Sequence, residues 1–441
     1  MKRCLPALLL LLCLSLSGCA MRRAEEMYAL PKRSQEYQLL DTAINEAMES
    51  LGLDYCSPQS GENQQSVQTA DLDGDGLDEH LVFASGGAEK PLQVLIFRQD
   101  PGGGSSLMEV IQSNGTAFEQ VEYINFDEKP GLELVVGRQV SDQVLRSMSV
   151  YSFSGGRAQL VLRYGYSKFV TCDLDLNGRS ELLVLRPGEA ATDRGMAVLY
   201  SADRGKIQRS VEMELSVSPN HIRRIAKGRL HGGAPAVYVA STMDESTVYT
   251  DVLTLHRGQF SNVAFDGQEG TSVETLRNFY VYPEDVDGDG VLELPGLATM
   301  KAVSLWGEDE QKYLIRWYAL TAEGQRVDKL YTFHDFLGGW YVRLDSDWAS
   351  RVTVEQDEGR YTFYVWNESY EEATALFTIY IFTGSTRDAD VTQDGRFALY
   401  RSEEVSYGAR LERYAEQYGI TEKQLIDAFS PIHQDWQTEE T

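Results

Sequence analysis

The sequence predicts a mainly β protein: a β-propeller-like array of at least five blade repeats, each about 50 residues long, followed by a small α+β C-terminal domain. Three observations predict it. An Asp- and Gly-rich segment recurs at residues 71, 125, 173, 228 and 285, at intervals of 54, 48, 55 and 57 residues. Copies lead into short apolar runs such as "HLVFAS", "LELVVG", "LLVLRP" and "AVYVAS". Further strand-like pieces fill each period, among them "LQVLIF", "SMSVYSF", "MAVLYS" and "DVLTLH", parted by Gly, Asp and Ser turns. One such unit cannot bury its own faces, whereas stacked neighbours can. An open β-solenoid or a string of small sandwiches is the competing arrangement, but no linker-like composition separates the copies.

In chain order, residues 1–18 come first. "MKRCLPALLLLLCLSLSGCA" places Lys2 and Arg3 before an apolar stretch from Leu5 to Leu16. That stretch is too short and wrongly flanked to span a membrane and reads as a secretory signal peptide. Leu16-Ser17-Gly18-Cys19 resembles the bacterial lipobox, which implies cleavage before Cys19 and lipid attachment to it. A cysteine carrying more than one acyl chain anchors stably, so the expected location is the extracytoplasmic face of a bacterial membrane. Loss of the leader removes only Lys2 and Arg3 among charged residues and deepens the net charge from −27 to −29. Such a surface repels nucleic acid and anionic lipid heads. Cys56 and Cys172 then remain besides Cys19, and two positions do not distinguish a disulfide from two free thiols.

Residues 19–52 form the tether and one helix. "KRSQEYQLLDTAINEAMESLG" spaces Tyr37, Leu40, Ile44, Met48 and Leu51 by three and four, with Ser34 placed to cap the helix and Gly52 to end it. Its apolar stripe is expected to pack on the repeat array, which occupies residues 53–335.

The loops of the array carry its chemistry. Counted from Asp71, oxygen donors fall at positions 1, 3, 5 and 9: Asp71, Asp73, Asp75 and Glu79. Leu77 at position 7 offers a backbone carbonyl and Gly76 permits a tight turn. The same offsets give Asp173, Asp175, Asn177, the Arg179 carbonyl and Glu181, then Asp285, Asp287, Asp289, the Val291 carbonyl and Glu293. Hard oxygen ligands suit calcium better than zinc, so about three calcium ions are expected. An EF-hand would need Glu at position 12, where Val82, Val184 and Gly296 stand instead. A single Asp-Gly stretch can be a turn alone; three with matched donors point to metal.

These loops resemble the FG-GAP or VCBS-type repeats of integrin α-subunit propellers over roughly residues 65 to 335. The resemblance implies loops between two strands whose ions stiffen the blades and perform no chemistry. Two copies depart from the pattern: one keeps Asn125, Asp127 and Glu133 but has Lys129 at position 5, and the copy at Gly228 has no carboxylate. Neither is expected to hold calcium. Segments 53–70 and 311–345 could add strands, which leaves the blade number open at five, six or seven.

Several catalytic motifs fail. The start Asp71-Leu72-Asp73-Gly74 matches a phosphatase nucleophile, but its repetition argues against one. "HGGA" at His231 lacks a G-x-S-x-G partner, "PGGGSS" at Pro101 lacks the Lys-Ser/Thr ending of a phosphate loop, and no H-E-x-x-H is present. Carboxylate pairs for glycoside cleavage are a matter of three-dimensional separation.

Residues 336–441 lose the repeat. "GGWYVRLDSDW", "YTFYVW", "ALFTIYIF" and "RFALYRS" read as strands; "YGARLERYAEQYG" and "TEKQLIDAFSPI" read as helices, the latter with a capping box of Thr421 and Gln424. Trp340, Trp348 and Trp366 suit carbohydrate stacking, though burial is the commoner fate of such rings. The expected function is binding or scaffolding of a protein or glycan ligand at the cell envelope. The alternative is an envelope hydrolase or lyase acting on polysaccharide or phospholipid.

Overall fold

The architecture comes from a computed structural model, which describes residues 35–436 except 88, 101–102, 128, 141–145, 189–193, 204–205, 244–246, 301–311, 345–348, 368 and 433–435. The leader, Cys19, Ser34 and Trp348 lie outside the described residues. The chain is mainly β, and its strands form six antiparallel sheets in chain order.

Helix α1 (Gln35–Leu51) precedes the sheets. The first sheet holds β1 (Asp54–Tyr55), β2 (Val67–Ala70), β3 (Glu79–Ser85), β4 (Leu92–Gln99) and β5 (Ser105–Ser113), with β1 and β2 pairing successive parts of β3. The second runs through β6 (Ala117–Ile124), β7 (Glu133–Gln139), β8 (Arg146–Ser154) and β9 (Arg157–Tyr166). The third runs through β10 (Lys168–Cys172), β11 (Glu181–Arg186), β12 (Met196–Asp203) and β13 (Lys206–Glu214). The fourth comprises β14 (Ile222–Arg229), β15 (Pro235–Thr242), β16 (Val248–His256) and β17 (Gln259–Asn262). Each of these is a meander of neighbours joined by turns, as the short repeat length demands.

The fifth sheet crosses residue 335. It contains β18 (Leu294–Thr299), β19 (Tyr313–Leu320), β20 (Arg326–Asp335) and β21 (Trp340–Leu344), and then takes β27 (Phe429–Pro431) from the far end of the chain. The sixth has the order β22 (Val352–Asp357), β23 (Arg360–Asn367), β24 (Ser369–Thr383), β26 (Val405–Leu411), β25 (Phe397–Arg401). Short helices α2 (Arg387–Asp390) and α3 (Glu422–Ala428) accompany it. The segment from Tyr407, expected to be helical, begins as β26 and only then turns into a 3-10 helix at Ala415–Tyr418. Pairing with β24 on one side and β25 on the other explains the outcome, and Gly408 permits a close approach, since a Cβ there would sit 2.8 Å from Val391 Cγ2. The capping box on α3 forms as expected, with Thr421 and Gln424 bonding each other's backbone N–H.

Alternation along the strands explains how the sheets stack. Leu81 and Phe83 of β3 face the second sheet and join Phe118, Val121 and Leu134. Val135, Met148 and Val150 meet Leu182, Val184 and Val198 of the third sheet. Leu183 and Leu199 meet Val237 and Val239 of the fourth. Tyr238 and Val252 then meet Leu294 and Tyr318 of the fifth. Trp340 and Val342 share one core with Val352, Phe363 and Phe377 of the sixth. The opposite face of the first sheet, Val82, Ala84, Leu95 and Phe97, is covered by Leu40, Ile44 and Met48 of α1. Tyr37 and Leu51, the ends of the expected stripe, remain exposed. Among the described residues, no core cluster joins the sixth sheet to the first.

Candidate metal centres on one edge of the stack

The five repeat segments lie where the sequence offsets put them, each leading into a strand of its sheet: β3, β7, β11, β15 and, for the last, β18, the first strand of the fifth sheet. Backbone hydrogen bonds tie adjacent loops together. Leu132 N donates to Asp71 O at 3.0 Å, Ser180 N to Asn125 O at 2.7 Å, and Leu292 N to Arg229 O at 3.1 Å. The first and second loops approach so closely that a Cβ on Gly131 would lie 2.3 Å from Leu72 O. Glycine is required there by contact.

Within the loops one hydrogen-bond pattern repeats three times. Asp71 accepts from Gly74 N at 2.7 Å and Gly76 N at 3.0 Å; Asp285 accepts from Gly288 N at 2.8 Å and Gly290 N at 3.0 Å. Asp173 accepts from Asn177 N at 3.1 Å and Gly178 N at 3.0 Å. The N–H groups of Leu77, Arg179 and Val291 donate to the side chains of Asp75, Asn177 and Asp289. The final glutamate turns inward, and Glu79, Glu181 and Glu293 each accept from the backbone N–H of Leu72, Leu174 and Val286. Positions 4 and 6 hold positive φ in all three: Gly74 and Gly76, Leu176 and Gly178, Gly288 and Gly290. Leu176 at 59° is the departure, since only glycine takes that conformation without steric cost.

The carboxylates converge. Single oxygens of Asp71, Asp73 and Glu79 lie within 4.8 Å of one another, as do those of Asp173, Asp175 and Glu181, and of Asp285, Asp287 and Asp289. Burial pushes the Glu79 carboxyl above its ordinary value, and the charges of Asp73, Asp75 and Asp71 add to the effect. Burial first and neighbouring aspartates second raise Glu181 and Glu293 to about 7. Buried carboxylates that repel one another are stabilised by an added cation. All the side-chain donors are hard oxygens, and a nearly buried glutamate belongs to the first two clusters while the third is made by Asp285, Asp287 and Asp289, so the residues fit an ion such as calcium.

The two divergent copies differ as their residues require. Asp127 accepts from Lys129 N at 2.7 Å and pairs with Lys129 Nζ at 2.8 Å, while Glu133 still accepts from Phe126 N at 2.9 Å. Pro130 occupies position 6, where a positive φ is impossible. In the copy at Gly228 the turn is closed without carboxylates, by Leu230 N to Ala234 O and Gly233 N to Leu230 O, both 2.8 Å, and by Arg229 Nη1 donating to Gly233 O at 3.0 Å. His231 N donates to Leu320 O, which gives that residue a place in the loop.

One participant was invisible in the spacing. Lys329 of β20 reaches the third acidic loop, with Nζ 3.5 Å from Asp287 Oδ2 and 3.9 Å from Glu293 Oε1, and it bonds Asp289 Oδ2. Its only advance signal was a polar position in an otherwise alternating strand.

Away from the loops, a cavity of about 230 Å³ is lined by Asp266, Glu274, Tyr318 and Arg326, among others. The Arg326 guanidinium lies 3.8 Å from the Tyr318 ring centroid, and Asp266 accepts from Gln268 N in its own turn. Trp340 is fully buried, stacked on Phe429 with ring centroids 5.6 Å apart, and Trp366 is half-buried. Cys56 and Cys172 are free thiols, and burial pushes Cys172 up to about 12.

No known protein family matches this chain, and no curated protein matches it. Among solved structures it is similar to two rhamnogalacturonan lyases. The exotype enzyme YesX is 13% identical with a TM-score of 0.29 over 74% of this chain and 65% of the lyase. YesW is 11% identical with a TM-score of 0.29 over 71% and 72%. A protein from Lactobacillus plantarum is 9% identical with a TM-score of 0.25 over 74% and 95%. The chain thus spans about two thirds of the length of the first lyase. No described helix is long and apolar enough to cross a membrane.

Proposed function

We propose that this chain is an envelope lipoprotein whose β-propeller-like array, held by calcium, is a binding or scaffolding module for a protein or glycan ligand. One observation carries the reading: three loops with the same residue offsets each bring three carboxylate oxygens within 4.8 Å of one another, two of them with the buried Glu79 or Glu181 and the third through Asp285, Asp287 and Asp289. Asp71, Asp73, Asp75 and Glu79 would hold one ion, Asp173, Asp175, Asn177 and Glu181 a second, and Asp285, Asp287, Asp289 and Glu293 a third. The Leu77, Arg179 and Val291 carbonyls complete the sets. Calcium there neutralises the clustered charge and fixes the loops through which neighbouring sheets are bonded. Cys19 would carry the lipid, and the acidic surface argues against nucleic acid.

The test is calcium titration of the full chain in detergent micelles, with melting recorded in calcium and in EDTA. Binding of about three ions at saturation, with one lost in Asp73→Ala and one in Asp175→Ala, supports the reading. Absence of binding at millimolar calcium refutes it, since extracellular modules bind at about 10⁻⁴ to 10⁻³ M.

A second reading is an envelope hydrolase or lyase acting on polysaccharide or phospholipid. The cavity with Asp266 and Glu274 favours it, because these carboxylates lie outside the metal loops. Release of new sugar ends or lipid products, abolished in Glu274→Gln, would establish it over the binding module.

A further inference from the structure

The three acidic loops share their hydrogen bonds but not their surroundings. The loop from Asp71 carries four carboxylates at its donor positions, and the loop from Asp173 three with the neutral Asn177, whose Oδ1 accepts from Arg179 Nε at 3.4 Å. In the loop from Asp285 an ammonium already sits among the carboxylates: the Lys329 side chain is 15% exposed and touches Asp287, Asp289 and Glu293. Glu293 is fully buried, and its Oε1 has no hydrogen-bond partner, so the Lys329 charge 3.9 Å away is what faces it. The chain contains a second instance of the same device, since Lys129 pairs with Asp127 in the loop that lost its position-5 donor. Lys129 comes from within its own loop, whereas Lys329 comes from 42 residues beyond Asp287.

We propose that Lys329 is a built-in cation for the third acidic loop, which keeps its shape without calcium and binds calcium only by displacing the lysine. The inference rests on the calcium reading of the loops and deepens it by making the three sites unequal. A cage that has lost one net negative charge to an internal ammonium binds a divalent ion more weakly, because affinity in such loops follows the ligand charge. The loop from Asp71, with four donor carboxylates and no such ammonium, would therefore fill before the loop from Asp285, which needs calcium concentrations about tenfold higher or more; the loop from Asp173, where Asn177 replaces one carboxylate, also carries less charge than the first.

The experiment is calorimetric calcium titration of the full chain in detergent, wild type beside Lys329→Met, a change that keeps the apolar stem and removes the charge. An ion at least about tenfold weaker than the tightest in the wild type, lost in Asp287→Ala and tightened in Lys329→Met, supports the proposal. Binding at all sites unchanged by Lys329→Met overturns it and leaves the calcium reading standing. No calcium in either protein removes the calcium reading and the proposal together. Melting in EDTA gives an independent readout should Lys329→Met fail to fold. There, Asp73→Asn and Asp175→Asn relieve repulsion and hold or raise the melting temperature, while Asp287→Asn strips Lys329 of a partner and lowers it. The same response at all three positions would overturn the proposal.

Discussion

Leu176 holds a left-handed backbone where its sister loops use Gly74 and Gly288. The side chain is 58% exposed and contributes little burial to offset the strain. Leu176→Gly should therefore stabilise the protein by about 0.5–1 kcal/mol, the steric relief exceeding the added chain entropy. Gly131→Ala should do the reverse and cost about 1–3 kcal/mol, because the new methyl meets the Leu72 carbonyl. Chemical denaturation of both variants checks the pair. His334 provides a pH signature. It is stacked on Tyr341 with centroids 5.0 Å apart, lies beside Trp436 and bonds Thr332 at 2.8 Å. Burial lowers its pKa from 6.5 to about 3, so unfolding takes up a proton between those values. Its contribution is complete above about pH 6.5 and is lost as pH falls toward 3. The raised carboxyls of Glu181 and Glu293 act with the opposite sign, so the test is a difference: the melting-temperature gap between wild type and His334→Phe should shift against the wild type on acidification. A gap independent of pH would show that His334 is not buried neutral.

Among the elements, the chain's end is as informative as its repeats. β27 extends the fifth sheet beyond β21, and Trp436 packs against Trp317 and Tyr341 with centroids 5.8 and 5.7 Å away. Trp436→Ala should cost about 3–5 kcal/mol, read from denaturant midpoints, although it lies outside every repeat. Nothing in "DAFSPIHQDW" announced this return, because the partner residues are distant in sequence and a short apolar run is compatible with many neighbours. The strands of the first four sheets were legible for the opposite reason: each is a local apolar run bounded by its own turns. β26 was misleading because Tyr407, Leu411, Tyr414 and Tyr418 recur at helical steps, while pairing with β24 and β25 decides the conformation of its first residues. The acidic clusters were legible because their carboxylates, such as Asp71, Asp73 and Glu79, come from one nine-residue span. Lys329 was not, because its approach depends on the register of β19 and β20, which shifts between Trp317 and Tyr318.

At the scale of the whole molecule, each described core cluster draws on adjacent sheets or on one sheet and its covering helix, so stability should behave as a sum of units and nearest-neighbour interfaces. An ion bound at one loop would then protect the sheets bonded through it more than those at a distance. Amide hydrogen exchange with and without calcium should show protection graded along the chain, and uniform protection would contradict that picture. Helix α1 has a role in the same geometry. Val82, Ala84, Leu95 and Phe97 form an apolar sheet face like those that meet within the stack, and Leu40, Ile44 and Met48 occupy it. A protein deprived of this helix would bare that face to water as a contiguous apolar patch on which other chains can gather. The seventeen residues of α1 thus serve as a cover for the first sheet, and their removal should lower solubility, read by light scattering.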